Sequence, residues 1–167
     1  MDQKIYNVLF ICTGNSARSI MAEAIMNDHG RGRFKAYSAG SNPRGEVHPM
    51  TLEVLSQQGC DLSGLRSKSW SEFAEPNAPQ MDFIFTVCDQ AAGEACPAWP
   101  GQPVTAHWGF SDPSKVEGGR DIQLKAFTTA LFQITNRIRL FMSLPIDKID
   151  RLSLQTKLRE LGQIGDA

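Results

Sequence analysis

The chain has 167 residues, enough for one domain, and its composition of 41% hydrophobic and 21% charged residues is normal for a globular protein. Its formal net charge of −1 gives no electrostatic basis for binding nucleic acid or a membrane surface. The sequence contains neither a signal-peptide pattern nor an apolar run long enough to span a bilayer, so we expect a cytoplasmic protein.

Short apolar segments alternate with segments of helical periodicity along the chain. The predicted strands are Tyr6–Ile11, Phe34–Gly40, Met81–Val87 and Pro103–Trp108. Helices are predicted to start near Ala17, Pro49, Trp70 and Arg120, and the segment Asp89–Gly101 is predicted to be a short helix or loop. This alternation favours an α/β fold, with a parallel sheet and helices on both of its faces.

The stretch between the first strand and the first helix reads Cys12-Thr13-Gly14-Asn15-Ser16-Ala17-Arg18-Ser19. Its small residues allow the backbone N–H groups to turn inward around an anion, and the helix start adds further donors and the positive end of its dipole. Arg18 adds a planar guanidinium group that suits a tetrahedral oxyanion. We expect this field to lower the pKa of Cys12 below its free value of about 8.5, so that a thiolate faces the anion. A buried structural cysteine in a tight turn is the alternative.

This Cys-x5-Arg-Ser stretch resembles the oxyanion loop of the low-molecular-weight protein tyrosine phosphatase superfamily, which contains phosphatases and arsenate reductases. The resemblance extends over about the first 145 residues. It implies a flavodoxin-like, four-stranded parallel sheet in the order 2-1-3-4, formed by a catalytic domain of residues 1–145. Residues 146–167 would be a helical tail, in which Asp147 is expected to cap a helix carrying Ile149, Leu152, Leu158 and Leu161.

Asp112-Pro113, after the last predicted strand, resembles the Asp-Pro acid loop of the superfamily. The resemblance implies that Asp112 protonates the leaving oxygen during catalysis. Asp-Pro also commonly starts a turn, so a purely structural role is the alternative.

The cysteines separate the two activities that the resemblance implies. A phosphatase needs only Cys12, which forms a phosphocysteine that water hydrolyses. An arsenate reductase needs a second thiol to attack the Cys12 adduct, and a third thiol can carry the resulting disulfide outward. Cys88 and Cys96 resemble these two thiols in the arsenate reductases of the superfamily, and the segment Ala106–Pro113 also resembles those enzymes. We therefore expect arsenate reduction, with phosphate and sulfate as competing anions and with weak phosphatase activity; a low-molecular-weight phosphatase is the alternative.

The sequence leaves two alternatives for the external electron donor. Seven residues separate Cys88 from Cys96, one more than in the best-known thioredoxin-coupled enzymes. Thioredoxin, or glutathione with glutaredoxin, is thus the expected partner, and no tightly bound cofactor is expected. Cys60 follows a predicted helix with no charged cluster beside it, which favours a packing role.

A metal is not required by the sequence pattern. Asn15, Glu23 and Ser38 match positions where some relatives bind potassium, although hydrogen bonds that stabilise the loop explain the three residues equally well. The cysteines lack the C-x2-C spacing of zinc sites. A regulatory module that senses phosphate is a third possibility, but Cys12, Arg18 and Asp112 together favour an enzyme.

Overall fold

The computed structural model describes residues 4–88, 101 and 103–163. The strands are β1 (Tyr6–Cys12), β2 (Phe34–Gly40), β3 (Phe83–Thr86) and β4 (Val104–His107). All neighbouring pairs are parallel, and the order across the sheet is β2-β1-β3-β4. This confirms the predicted fold class and strand order.

Four helices accompany the sheet in the described part of the chain. They are α1 (Arg18–His29), α2 (Pro49–Gln57), α3 (Arg120–Met142) and α4 (Arg151–Gly162), with short 3-10 turns at Trp70–Phe73, Pro113–Lys115 and Ile146–Lys148. None of these helices is long and apolar enough to cross a membrane.

Aromatic contacts fix the position of α3 on the sheet. The ring of Phe141 lies 5.3 Å from those of Phe34 and Phe85 and 5.1 Å from that of Phe83. Because side chains alternate along a strand, Tyr37 lies on the face opposite to Phe34, where its ring meets Phe73 at 5.5 Å. Both faces of the sheet are therefore covered, and residues 8–11 of β1 are fully buried between them.

The strand order also places the functional loops. The chain runs from β1 to β2 on one side and then returns to β3 and β4 on the other. The loops after β1 and β3 therefore leave the same sheet edge in opposite directions, and the crevice between them is where open α/β sheets bind ligands. Cys12 ends β1, and Cys88 follows β3 by two residues.

The carboxyl-terminal helix starts later than predicted, and the expectation that Asp147 caps it is wrong. Asp147 lies in the 3-10 turn Ile146–Lys148, and Ile149 is extended, so the helix cannot begin until after Asp150. The Asp150 carboxylate accepts a hydrogen bond from the Ser153 N–H at 3.0 Å and is the actual N-cap. Asp147 and Asp150 both carry a carboxylate that could cap a helix, and the backbone conformation decides which of them caps α4.

Helix α4 packs on the β4 edge of its own chain. Leu158 is fully buried, and its carbonyl accepts a 3.0 Å hydrogen bond from the indole N–H of Trp108. Trp108 in turn stacks on Phe85 at 3.8 Å between ring centroids. The helix thus covers the strand edge immediately before the loop that carries Asp112.

We predict that Leu158→Ala lowers the free energy of unfolding by about 2–5 kcal/mol, because it removes a fully buried side chain from this contact. Leu152→Ala, on the same helix but 77% exposed, should change it by less than about 0.5 kcal/mol. Urea unfolding followed by tryptophan fluorescence measures both values. Equal effects of the two variants would contradict the packing of α4 on the sheet.

Candidate active site

The loop between β1 and α1 is held from outside through its carbonyl oxygens. Thr13 O accepts from Asn42 N, Gly14 O from Arg44 N, and Ser16 O from His48 N, each at 2.9 Å. In a trans peptide the next residue's N–H points away from the carbonyl. These contacts therefore turn successive N–H groups toward the inner side of the loop, as an anion site requires.

Asn15 fixes the conformation of this loop through its backbone and its side chain. It has φ +46°, a left-handed conformation that asparagine tolerates better than most residues. Its side-chain oxygen accepts from Lys68 N at 2.9 Å, and its amide nitrogen donates to Ser19 Oγ at 2.8 Å. Gly40 lies against the loop at this point, where a side-chain Cβ would collide with Thr13 O.

Cys12 lies at the base of the loop and is 3% exposed. Its sulfur is 2.8 Å from Ser19 Oγ. The Asn15 amide donates to one acceptor position of that oxygen, and the Ser19 hydroxyl can donate to the sulfur when Cys12 is a thiolate. The backbone N–H groups of Ser19 and Asn15 also point at the sulfur. The structure therefore places the Ser19 hydroxyl and two backbone N–H groups around the sulfur.

The expected lowering of the Cys12 pKa is nevertheless wrong. Burial raises the pKa of this thiol, and the hydrogen bonds from Ser19 and Asn15 oppose that effect without overcoming it. The Arg18 guanidinium, which was expected to assist, is directed elsewhere. Its Nη1 donates to Phe110 O at 2.8 Å, and its Nη2 lies 3.3 Å from Asp112 Oδ2.

Asp112 has the structural role that was the alternative for it, and its role as an acid stays a prediction. It caps the 3-10 turn Pro113–Lys115 by accepting from the Ser114 N–H and hydroxyl at 2.9 and 2.7 Å. It also faces Arg18 across the pocket. Burial tends to raise the pKa of this carboxyl, but the Ser114 hydrogen bonds and the Arg18 charge together hold it below its usual value. Asp112 is therefore a carboxylate at neutral pH in this arrangement.

Cys88 lies across the same pocket. It is 3% exposed, and its sulfur is 3.6 Å from Thr13 Oγ1. The pocket has a volume of roughly 600 Å³, and the residues that line it include Thr13, Gly14, Arg18, Arg44, Cys88, Asp112 and Lys115.

Cys96 lies outside the described residues. Cys60 is buried apart from this pocket lining, and burial raises its pKa.

Two lining cations were not anticipated from the sequence. Arg44 reaches the site because its backbone N–H binds Gly14 O and its side chain packs over Gly14, thirty positions earlier in the chain. Lys115 reaches it through the turn that Asp112 caps. Neither residue lies in a recognisable local motif, so only the fold reveals them. With Arg18 they give the described lining three cations against one carboxylate, which favours an anionic ligand.

Behind the loop lies a buried polar group formed by Glu23, Ser38 and Lys68. Ser38 donates its hydroxyl to Glu23 Oε1 at 2.6 Å, and Lys68 Nζ lies 3.7 Å from the same oxygen. Burial raises the pKa of Glu23 and lowers that of Lys68. The described residues contain no cluster of three or more His, Cys, Asp and Glu side chains that would hold a metal ion.

Fold and loop together define an α/β protein in which a loop suited to an oxyanion lies above a buried thiol. A family model for low molecular weight phosphotyrosine protein phosphatase matches residues 7–152, and the chain belongs to this family.

The known proteins that the chain resembles include several arsenate reductases. An arsenate reductase of Shouchella clausii is 35% identical over 141 residues, which are 84% of this chain and 96% of that protein. The solved structure of an arsenate reductase in the phosphate binding state is 27% identical and has a TM-score of 0.64. The match covers 83% of this chain and 98% of that chain. The structure of a thioredoxin-dependent arsenate reductase of Corynebacterium glutamicum is 25% identical and has a TM-score of 0.55. The match covers 84% of this chain and 65% of that chain.

We predict that Ser19→Ala raises the pKa of Cys12 further, because it removes a donor that stabilises the thiolate. A hydrogen bond to a charged group corresponds to a shift of about one pH unit or more. The measurement is the pH dependence of iodoacetamide alkylation in a protein whose other three cysteines are serine.

Ser16→Ala is the matched control for this prediction. Ser16 lies in the same loop, but its described contacts are made by its carbonyl oxygen. Its alkylation profile should therefore stay within about 0.3 pH units of the parent protein, since the substitution removes no hydrogen bond to the Cys12 sulfur. A Ser19→Ala profile that coincides with it would remove Ser19 from thiolate stabilisation.

Proposed function

We propose that the protein reduces arsenate to arsenite, with Cys12 as the nucleophile and Cys88 as the thiol that attacks the Cys12 adduct. The observation that carries this proposal is the position of Cys88, whose sulfur lies 3.6 Å from the Thr13 hydroxyl in the oxyanion loop. A phosphatase uses one thiol, whereas two buried thiols beside one anion pocket provide the two electrons that arsenate reduction needs. The arsenate reductases among its relatives support the same reaction.

In the first step Cys12 condenses with arsenate. A sulfur–arsenic bond forms, and one arsenate oxygen leaves as water. Because burial raises the pKa of Cys12, its proton must move as the bond forms, and the bound dianion is a base within reach. Arg18 and the inward N–H groups of the loop stabilise the charge on the remaining oxygens.

In the second step the Cys88 thiolate attacks the Cys12 sulfur. A disulfide forms, the sulfur–arsenic bond breaks with its electron pair going to arsenic, and arsenic(V) becomes arsenic(III). The disulfide then needs two electrons from an external thiol. A thioredoxin-dependent relative supports thioredoxin as that donor, and glutathione with glutaredoxin is the alternative coupling.

Both sulfurs are deeply buried, which bears on how electrons enter. Cys12 and Cys88 are each 3% exposed, so a partner protein's thiol cannot reach a disulfide between them in this conformation. Exchange with a third thiol would carry the disulfide outward, and we assign that role to Cys96. Free thiols at positions 12, 60 and 88 suit a reducing, cytoplasmic setting.

Asp112 would become the proton donor only after the anion binds. In the described arrangement it is paired with Arg18 and carries a negative charge. A bound oxyanion competes for Arg18 and adds a like charge nearby, and both effects raise the pKa of Asp112. It then holds a proton that it can give to the leaving oxygen, in reduction and in a weak phosphatase reaction alike.

We predict that Cys12→Ser abolishes both arsenate reduction and p-nitrophenyl phosphate hydrolysis, because it removes the nucleophile of both reactions. Cys88→Ser should abolish reduction and leave hydrolysis within about twofold of the parent rate, since hydrolysis needs only one thiol. Cys60→Ser, a buried cysteine away from the pocket lining, is the control and should leave both activities intact.

The disulfides formed after arsenate is added to the reduced protein are then mapped by mass spectrometry. A Cys12–Cys88 or Cys88–Cys96 bridge is expected. Loss of hydrolysis in Cys88→Ser equal to the loss of reduction, or the absence of any bridge, would leave a phosphatase as the better description. A glutathione adduct would identify the alternative donor.

We predict that Asp112→Asn lowers kcat for p-nitrophenyl phosphate by roughly 10²–10⁴-fold, the usual contribution of a general acid. The same substitution should tighten phosphate binding, because it removes the carboxylate that competes for Arg18. Steady-state kinetics and phosphate inhibition constants measure the two effects. Asp121→Asn, on the exposed first turn of α3, is the control, and an unchanged kcat in Asp112→Asn would exclude Asp112 as the acid.

A further inference from the structure

Lys68 is an amine buried beneath the oxyanion loop, in a place that the reaction itself does not use. Its side chain is 5% exposed. Its Nζ donates to Arg66 O at 2.7 Å and lies 3.4 Å from Ser38 Oγ and 3.7 Å from Glu23 Oε1. A buried ammonium is costly unless carboxylate and hydroxyl or carbonyl oxygens surround it, and these three groups provide such a setting.

The same residue is joined to the active site through its backbone. Lys68 N–H donates to Asn15 Oδ1 at 2.9 Å, the Asn15 amide donates to Ser19 Oγ at 2.8 Å, and Ser19 contacts the Cys12 sulfur at 2.8 Å. Lys68 O also accepts from Gly40 N at 2.9 Å, which ties the segment to the end of β2. The position of Lys68 is therefore transmitted to the nucleophile through three consecutive hydrogen bonds.

The chemistry of the residues around Lys68 shows whether a potassium ion could bind there. Oxygen donors of the right kind are present, namely the Glu23 carboxylate, the Ser38 hydroxyl and the Arg66 carbonyl. However, the Lys68 ammonium already lies among them, and a second cation beside it would be repelled at low dielectric. The chain therefore does not fit a potassium ion at this place.

We propose that the Lys68 ammonium replaces a monovalent cation in this protein, so that the oxyanion loop keeps its active shape without added potassium. The argument depends on the proposed function only for the choice of activity assay. Lys68 is a positioning residue: it compensates Glu23 and holds the segment whose backbone fixes Asn15. It contacts neither the substrate nor the reacting sulfur.

The test compares the parent protein with two variants in potassium chloride and in N-methylglucamine chloride at equal ionic strength. Lys68→Met removes the charge but fills the same space, whereas Lys68→Ala removes the charge and leaves room for an ion. The readouts are Tm, the Cys12 alkylation rate, and kcat and KM for arsenate and p-nitrophenyl phosphate.

For the parent protein we expect the same Tm, within about 1 °C, in both salts, because no potassium site exists to stabilise it. Both variants should lose about 10-fold to 100-fold in kcat/KM in N-methylglucamine, since the loop geometry is no longer held. Potassium should restore most of the loss in Lys68→Ala and raise its Tm by about 3–6 °C when present at ten times its Kd. It should restore nothing in Lys68→Met.

A pH series separates this role from a merely structural one. Without Lys68, a proton and potassium compete for Glu23, so the rescue of Lys68→Ala should grow as pH rises through the raised pKa of Glu23. A parent protein that potassium stimulates several-fold, or a Lys68→Ala variant that is active without potassium, would overturn the proposal. If Lys68→Ala fails to fold, the salt dependence of the parent protein and of Lys68→Met still decides the question.

The failure of this proposal is distinguishable from a failure of the proposed function. Tm and the Cys12 alkylation rate report the state of the loop whichever reaction the protein catalyses. A parent protein that does not reduce arsenate but shows no potassium effect on these two readouts would leave the role of Lys68 standing.

Discussion

The chain of hydrogen bonds from Lys68 N–H through Asn15 and Ser19 to the Cys12 sulfur is the constraint on which the site depends. The Asn15 side chain accepts through its oxygen and donates through its nitrogen, so these two links together fix the orientation of the amide. The chain also explains why Asn15 adopts a left-handed backbone: its side chain must bridge a neighbouring segment and the first turn of α1 at the same time. A substitution that breaks one of these hydrogen bonds is therefore expected to displace the Cys12 sulfur or its hydrogen-bond donor.

In the proposed mechanism the Arg18 guanidinium has two possible partners, Asp112 and the bound anion, and its change of partner would connect anion binding with proton transfer. In the described arrangement it donates to Phe110 O and lies beside the Asp112 carboxylate. An arriving oxyanion offers a stronger, bidentate partner for the guanidinium group. Asp112 would then lose its counter-charge just as a second negative charge approaches, so anion binding and protonation of the acid are coupled. A site with a permanently protonated acid would not need Arg18 to change partners.

Local sequence patterns predicted the sheet and the loop because both are encoded by neighbouring residues. The apolar strand Tyr6–Ile11 and the small residues after Cys12 act within a few positions of one another, and the structure has the strand and loop there. Features that depend on distant segments were missed or misjudged. The Cys12 pKa was expected to fall because donors are visible in the sequence, whereas the burial that raises it is a property of the whole fold. Lys68 becomes part of the site only because residues 66–69 pack beneath a loop more than fifty positions earlier.

The presence of a second thiol beside the pocket also favours reduction over hydrolysis. A phosphocysteine must be attacked by water, so a hydrolytic site gains from access to solvent. An arsenate adduct must instead be attacked by a sulfur, and water that reached it would simply return arsenate. Cys12 and Cys88 are each 3% exposed, and the Cys88 sulfur lies 3.6 Å from the Thr13 hydroxyl of the loop that begins at Cys12. The same burial raises the pKa of Cys12, which limits oxidation of the resting thiol, since the thiolate is the form that reacts. In the proposed relay, a buried first pair would need a third thiol to carry the disulfide outward.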